Sequence, residues 1–257
     1  MPHPLAALAP LAHGVRLLAA DIDDTMTRSG KFSAAVLGRL ESLAARGLPL
    51  VLVTGRPAGV AMGLLDYLPG VVAAISENGG CLCGPGGTRI LPSEVVGPEQ
   101  LRANLDACVR EIRAAVPRAR PTACCFARLT DATFEVDSVT DADRLVVDAV
   151  ARRHGLTTAA SSIHLHLKSP GHDKGRALTS WLAEQRPPVR ATQVVTCGDS
   201  LTDASLFDPA VFPLSVGVAN VALVLDRLVS GPAYITEQPE AAGFVEVVDL
   251  LLAAPGV

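Results

Sequence analysis

Several things this sequence lacks narrow what it can do. Aromatic residues are only 4% of the chain, too few for the stacking platforms that hold single-stranded nucleic acid. There is no basic surplus either: 22 Lys and Arg stand against 26 Asp and Glu, a formal net charge of -4. A general nucleic-acid binder needs a basic face, so no nucleic-acid partner is expected. The longest uncharged run, Pro209 to Leu225, is seventeen residues and contains Pro213 and Asn220. That is short of the ~20 apolar residues a bilayer span requires. The opening MPHPLAALAPLAHG carries three prolines and no Lys or Arg before Arg16, which makes a secretory leader the weaker reading. A soluble, cytoplasmic protein with no membrane partner is expected. The six cysteines, Cys81, Cys83, Cys108, Cys124, Cys125 and Cys197, contain no CxxC pair and no His at zinc-finger spacing. They read as buried thiols in a reducing compartment, with Cys124 and Cys125 on opposite faces of one strand.

What is present is core material, 49% of the residues being hydrophobic, in a clear rhythm. Residues 15–21 read as a buried strand. Residues 34–46 read as a helix, with Val36, Leu37, Leu40, Leu43 and Ala44 at helical spacing and Gly47 to end it. A second apolar strand over 48–54, a helix over 58–67 and a third strand over 71–76 follow. Near-continuous apolar strands alternating with helices mean a parallel sheet covered on both faces. The rhythm changes after ENGG (77–80). A hairpin over 81–91, a helix over 98–116, two strands within 122–137, a helix over 140–154 and one or two strands within 156–168 suggest an inserted α+β unit. That helix opens with a capping-box pattern, Thr140 and Asp143. The α/β rhythm then resumes, with helices over 174–186, 203–208, 220–229 and 241–253 and strands over 192–197, 211–218 and 233–235. The expected architecture is a Rossmann-like α/β core, 1–80 and 169–257, with an α+β unit, 81–168, inserted into it.

Parallel sheets bind ligands beyond the C-terminal ends of their strands, and four short signals fall there. LLAADIDDTMT (17–27) runs an apolar strand into Asp21, Asp23 and Asp24; VTGR (53–56) offers the Thr54 hydroxyl and backbone N–H where the chain turns on Gly55. DKGRAL (173–178) puts Lys174 at a helix start, and CGDSLTD (197–203) supplies Asp199, Ser200 and Asp203. Crowded carboxylates repel one another unless a cation sits between them. Two or three carboxylates, hydroxyl and amide donors and a fixed lysine on one rim suit a phosphoryl group with Mg²⁺, which takes a few carboxylate oxygens plus water and phosphate.

In these four motifs, and in an insertion between the second and third, the sequence resembles haloacid dehalogenase superfamily phosphatases. The inserted αββ pattern is similar to the type IIB cap of the Cof-like, sucrose-phosphate and mannosyl-phosphoglycerate phosphatases. ENGG and IHLHLKSPGHDKG look nearest to archaeal-type phosphoglycolate phosphatases. The resemblance implies Asp21 as nucleophile and Asp23 as general acid/base, with Thr54, Gly55 and Lys174 holding the phosphoryl group. Mg²⁺ would be held by Asp21, Asp199 and the Asp23 carbonyl, supported by Ser200, with Asp203 as a further metal-shell or lysine-orienting acid. Asp24 stands where the family usually has Gly, and Thr202 where it has Asn. The expected function is hydrolysis of a small phosphorylated metabolite through an aspartyl-phosphate. A phosphomutase or phosphotransferase on the same scaffold is the nearest rival, and a phosphoacceptor or regulatory small-molecule binding protein the rival of another class.

Residues that grip the substrate are less legible. In IHLHLK, Ile163, Leu165 and Leu167 take one face of a strand and His164, His166 and Lys168 the other. That polar face either meets solvent or faces the site. Arg110, Arg113, Arg118, Arg120 and Arg128 make the insertion locally basic. Arg128, His164 and His166, with Asn78 beside Glu77 at the hinge, are the candidates for contacts to the leaving group.

Overall fold

The structure, a computed structural model, describes residues 2–93, 96–161 and 163–255. In chain order the elements are β1 (His3–Pro4), β2 (Leu17–Ala20), α1 (Ala34–Arg46), β3 (Leu50–Val53), α2 (Ala58–Tyr67), β4 (Val71–Ser76), β5 (Cys81–Gly84) and β6 (Gly87–Ile90). Then come α3 (Pro98–Ala115), β7 (Asp131–Glu135), α4 (Asp141–Arg153), β8 (Thr157–Ala160), β9 (His164–Lys168) and α5 (Lys174–Glu184). The chain finishes with β10 (Val194–Gly198), β11 (Ser215–Gly217), β12 (Tyr234–Ile235) and α6 (Glu240–Ala253).

The main sheet has nine strands in the order β1-β12-β11-β10-β2-β3-β4-β5-β6, parallel as far as β4 and antiparallel beyond it. Its central strands are apolar without interruption because both faces are covered. Leu18 and Ala20 of β2 and Leu50 and Leu52 of β3 pack with α1 and α6 through Leu40, Leu43, Phe244 and Val247. Leu17, Ala19, Val51 and Val53 pack on the other face with Leu178 and Leu182 of α5. Leu5–Gly14, unread from the sequence, is a 3₁₀ helix that buries Leu5, Leu8 and Ala12 in the first of these cores. Pro10 and the tighter turn give it no 3.6-residue pattern to find. No helix among the described residues is long and apolar enough to cross a membrane.

The second sheet is antiparallel, in the order β7-β9-β8. Here the strands alternate. Ala132, Phe134, Leu165 and Leu167 pack under α3 and α4 against Leu105, Ile112, Val147 and Val150. Asp131, Thr133, His164 and His166 take the other face, and all four are buried, so it is not the solvated surface that alternation allowed. α4 opens with the expected capping box, Thr140 and Asp143.

Four expectations are corrected. The 81–90 hairpin is hydrogen-bonded to β4, and Leu91 packs in the core, which moves the proposed start of the inserted unit from Cys81 to beyond Leu91. The first of the two strands expected in 122–137 is absent: Cys125–Ala127 is a 3₁₀ turn, and Cys124 and Cys125 are half-buried, not set on opposite faces of a strand. The short helices expected near 203–208 and 220–229 are 3₁₀ turns over Leu201–Phe207, Ala219–Leu223 and Leu225–Arg227. The strand expected over 211–218 is reduced to Ser215–Gly217.

At the end of β4 the chain makes three successive left-handed residues, Glu77, Asn78 and Gly79, with φ of 52°, 53° and 95°. A Cβ on Gly79 would fall on the backbone carbonyl of Asp173, at the start of α5. Gly79→Ala is therefore expected to cost on the order of 3 kcal/mol, a melting temperature roughly 6–12 °C lower for a chain of this size. Gly38→Ala in α1, where a Cβ meets nothing within 4 Å, should instead stabilise by up to about 1 kcal/mol. Thermal melts of the two variants check the contrast.

Candidate active site

Asp21, Thr54, Glu77 and Asp199 each follow the last residue of a parallel strand, β2, β3, β4 and β10, so the sheet alone sets them on one rim. The Asp21 N–H donates to Cys197 O at 2.9 Å, which holds Asp21 beside the end of β10. Oxygens of Asp21, Asp199 and Asp203 lie within 4.8 Å of one another. Lys174, 1% exposed, places Nζ 3.1 Å from Asp21 Oδ1 and 2.6 Å from Asp203 Oδ1. Burial alone would lower the ammonium's pKa, but the carboxylates of Asp203 and Asp21 raise it above its ordinary value. The lysine stays charged.

One cation does not balance three acids. Burial, then the neighbouring acids, pushes Asp199 up to about 9. Burial likewise pushes Asp21 up to about 7 despite Lys174. An all-oxygen donor set with this unbalanced negative charge fits a hard divalent cation. Asp203 has little left to offer one. Its Oδ2 accepts from the N–H groups of Asp199 and Ser200 and from Ser200 Oγ, at 3.0–3.1 Å, while Oδ1 takes Lys174. The geometry makes it the residue that orients lysine and loop. Asp199 is oriented in turn by Thr25 Oγ1, donating to Oδ1 at 2.8 Å, and by Asn220 Nδ2, donating to Oδ2 at 3.1 Å. Neither was read from the sequence. Thr25 lay inside a quoted motif, whereas Asn220 sits in a turn after β11 with no local pattern. The same Asn220 amide donates to Asp24 O, and Asp24 has φ 57°, a conformation that explains why Gly suits this position and that Asp tolerates better than most residues.

At the next strand end, the Thr54 N–H is spent on Ile75 O at 2.8 Å. Of the two donors expected from this residue only the hydroxyl remains, and it accepts from Arg56 N–H at 3.1 Å. Arg56, quoted in VTGR but given no role, forks onto Asp23: Nε donates to Oδ2 at 2.7 Å and Nη2 to Oδ1 at 2.5 Å. Gly55 lies against the insertion, where a Cβ would stand 3.0 Å from His166 Cε1 and 3.3 Å from Asn78 Nδ2.

The inserted unit closes over this rim. His164, His166 and Asn78 join Asp21, Asp23 and Lys174 in lining one cavity. Its free volume is about 20 Å³, room for about one water. A wider cleft of about 620 Å³ adjoins it, sharing Ser161, Asp199 and Ser200 and flanked by Arg144 and Arg227. Burial, with the charge of Arg128 beside it, pulls His164 down to about 4, and burial lowers His166, so both rings are neutral near pH 7. Arg128, expected to grip substrate, does not line the cavity. Its wholly buried guanidinium bonds both oxygens of Asp131 and Gly55 O at 2.8–3.0 Å, and Asp131 also bonds His166 Nδ1 at 2.9 Å. Glu77, wholly buried, accepts from Ala58 N–H on the core side and from Leu129 N–H, Thr130 N–H and Thr130 Oγ1 on the other. Arg128 and Glu77 thus tie the insertion to the core.

No protein-family model matches the sequence. The chain is 28% identical to a phosphoglycolate phosphatase of Halobacterium salinarum over 236 residues, 90% of this chain and 95% of the relative. It is 32% identical to a phosphoglycolate phosphatase of Halorubrum lacusprofundi over 214 residues, 79% of this chain and 84% of the relative. The fold matches a solved phosphatase of the haloalkanoate (HAD) superfamily from Bacteroides thetaiotaomicron with a TM-score of 0.66 at 15% identity, over 93% of this chain and 96% of that one. Likeness in sequence across most of both chains makes this chain a phosphatase of the phosphoglycolate phosphatase family, with the fold of the haloalkanoate (HAD) superfamily phosphatase.

Proposed function

We propose that the chain hydrolyses a small phosphorylated metabolite in a Mg²⁺-dependent reaction, with Asp21 as nucleophile. The observation that supports it most is Lys174, buried and charged, 3.1 Å from Asp21 Oδ1 in a cavity that Asp23 also lines. An Asp21 oxygen attacks phosphorus and the ester P–O bond breaks; Asp23 supplies the proton to the leaving oxygen. Water then attacks the aspartyl-phosphate, giving its proton to Asp23 and releasing inorganic phosphate and free Asp21. Lys174 and the Thr54–Gly55 turn hold the transferring oxygens, and Asp203 keeps the lysine aimed. Mg²⁺ held by Asp21, Asp199 and the Asp23 carbonyl would neutralise charge building on those oxygens.

With room for about one water, the closed cavity does not admit an ester, so the insertion must part from the core for binding and release. The wider cleft beside Asp199 is the open path in this structure. Phosphoglycolate, on which the two archaeal relatives act by name, heads the candidate substrates, before phosphoglycerates and sugar phosphates.

Asp21→Asn keeps size and shape but removes the attacking charge, so turnover should fall by roughly 10⁴-fold or more with an unchanged circular dichroism spectrum. A variant retaining a tenth of the activity would place the nucleophile elsewhere.

Asp21 and Asp199 have folded-state pKa values above the ordinary carboxylate range. Between that range and about 9, the folded chain binds more protons than the unfolded one, so its stability falls as pH rises. A cation that replaces those protons offsets the loss. Melting in chelator should therefore occur at lower temperature near pH 8.5 than near pH 5.5, and added Mg²⁺ should raise the melting temperature more at the higher pH. Equal Mg²⁺ shifts at both would remove these two carboxylates from the cation site.

A further inference from the structure

We infer that Arg56 determines specificity for an anionic leaving group: it exchanges its partner Asp23 for a carboxylate on the substrate, and in doing so uncovers Asp23. The inference rests on the phosphatase reading above. Its starting point is the fork itself. Nε and Nη2 meet the two oxygens of Asp23 at 2.7 and 2.5 Å, an arrangement that any carboxylate reaching the same edge satisfies equally well. While the fork is in place, both oxygens of Asp23 are covered by guanidinium N–H groups. The residue meant to face the leaving oxygen is then occupied.

The cavity offers an incoming carboxylate little else. Among the described residues lining it, the cations are Lys174 and Arg56. Lys174 is buried between Asp21 and Asp203, at the phosphoryl end. His164 and His166 also line it but are kept neutral by burial. Arg128 is committed to Asp131 and Gly55 O.

Arg56 is also built to exchange. Its backbone is fixed, with N–H donating to Thr54 Oγ1 and C=O accepting from Glu77 N–H, both at 3.1 Å. Its side chain is 31% exposed and that of Asp23 19%, so the fork is open to an incoming carboxylate, and one bidentate carboxylate then replaces another at little net cost. A carboxylate two bonds beyond the ester oxygen puts its charge on the Asp23 side of the cavity, away from Lys174. An uncharged leaving group leaves Arg56 on Asp23.

The test measures kcat/KM with Mg²⁺ for 2-phosphoglycolate and for 2-hydroxyethyl phosphate, which replaces the carboxylate by an alcohol on the same skeleton. Wild type should prefer the carboxylate ester. Arg56→Ala should lose at least roughly 30-fold more on 2-phosphoglycolate than on 2-hydroxyethyl phosphate. Arg56→Lys, which keeps the charge without the fork, should fall between them. A merely structural role for Arg56 would lower both esters together and leave their ratio unchanged, which overturns the inference while the phosphatase reading stands. Equal wild-type rates on the two esters overturn it as well. Hydrolysis of neither overturns the inference, and the phosphatase reading falls with it only when phosphoglycerates and sugar phosphates are left intact as well.

Discussion

The site depends on a single buried lysine set among buried acids. Lys174 bridges Asp21 and Asp203 from the first residue of α5, and so joins β2, α5 and the loop after β10, which are far apart in sequence. An unpaired ammonium or carboxylate at this depth would cost several kcal/mol, so each charge depends on the others being placed correctly. The deficit of positive charge that remains at Asp21 and Asp199 is what suits the site to a cation. Stability and chemistry draw on the same electrostatics there.

The backbone carries part of that cost. Asp24 and the Glu77–Gly79 turn sit in the left-handed region, at the two strand ends that flank Thr54. Each is held by bonds from outside its own segment: Asp24 O by Asn220, and Glu77 by donors from α2 and from the insertion. Strain at a functional rim persists only where its surroundings over-determine it. Here the surroundings include the inserted unit, so the position of that unit and the shape of the rim are mechanically linked through Glu77, Arg128 and Gly55.

The inserted sheet turns a binary pattern into a division of labour. Its apolar face forms a separate core under α3 and α4, while the polar face supplies neutral histidines to the cavity and the Arg128–Asp131–His166 network behind it. Among the described residues lining the cavity the cations are Lys174 and Arg56, and the neutral rings add hydrogen-bonding groups without adding charge.

What was legible in the sequence was whatever local periodicity and short motifs encode. The apolar strands, α1 and α2 with their boundaries, the capping box of α4, the strand-end positions of Asp21 and Asp199 and the helix-start position of Lys174 all follow from contacts within a few residues or from one rule about parallel sheets. The 3₁₀ turns over Leu201–Phe207 and Ala219–Leu223 read as helices because over seven and five residues a period near three is not separable from one of 3.6. The missing first strand of 122–137 was misread because Thr, Cys and Phe favour strands whether or not a partner strand exists. Only tertiary structure decided which side chains face which. Arg128 and His166 look alike as polar residues of the insertion, yet one is sealed against Asp131 and the other lines the cavity. Asn220 reaches Asp199 across 21 residues and Arg56 reaches Asp23 across 33. Such pairings arise from the register of strands brought together by packing, and no stretch of sequence shorter than the fold contains them.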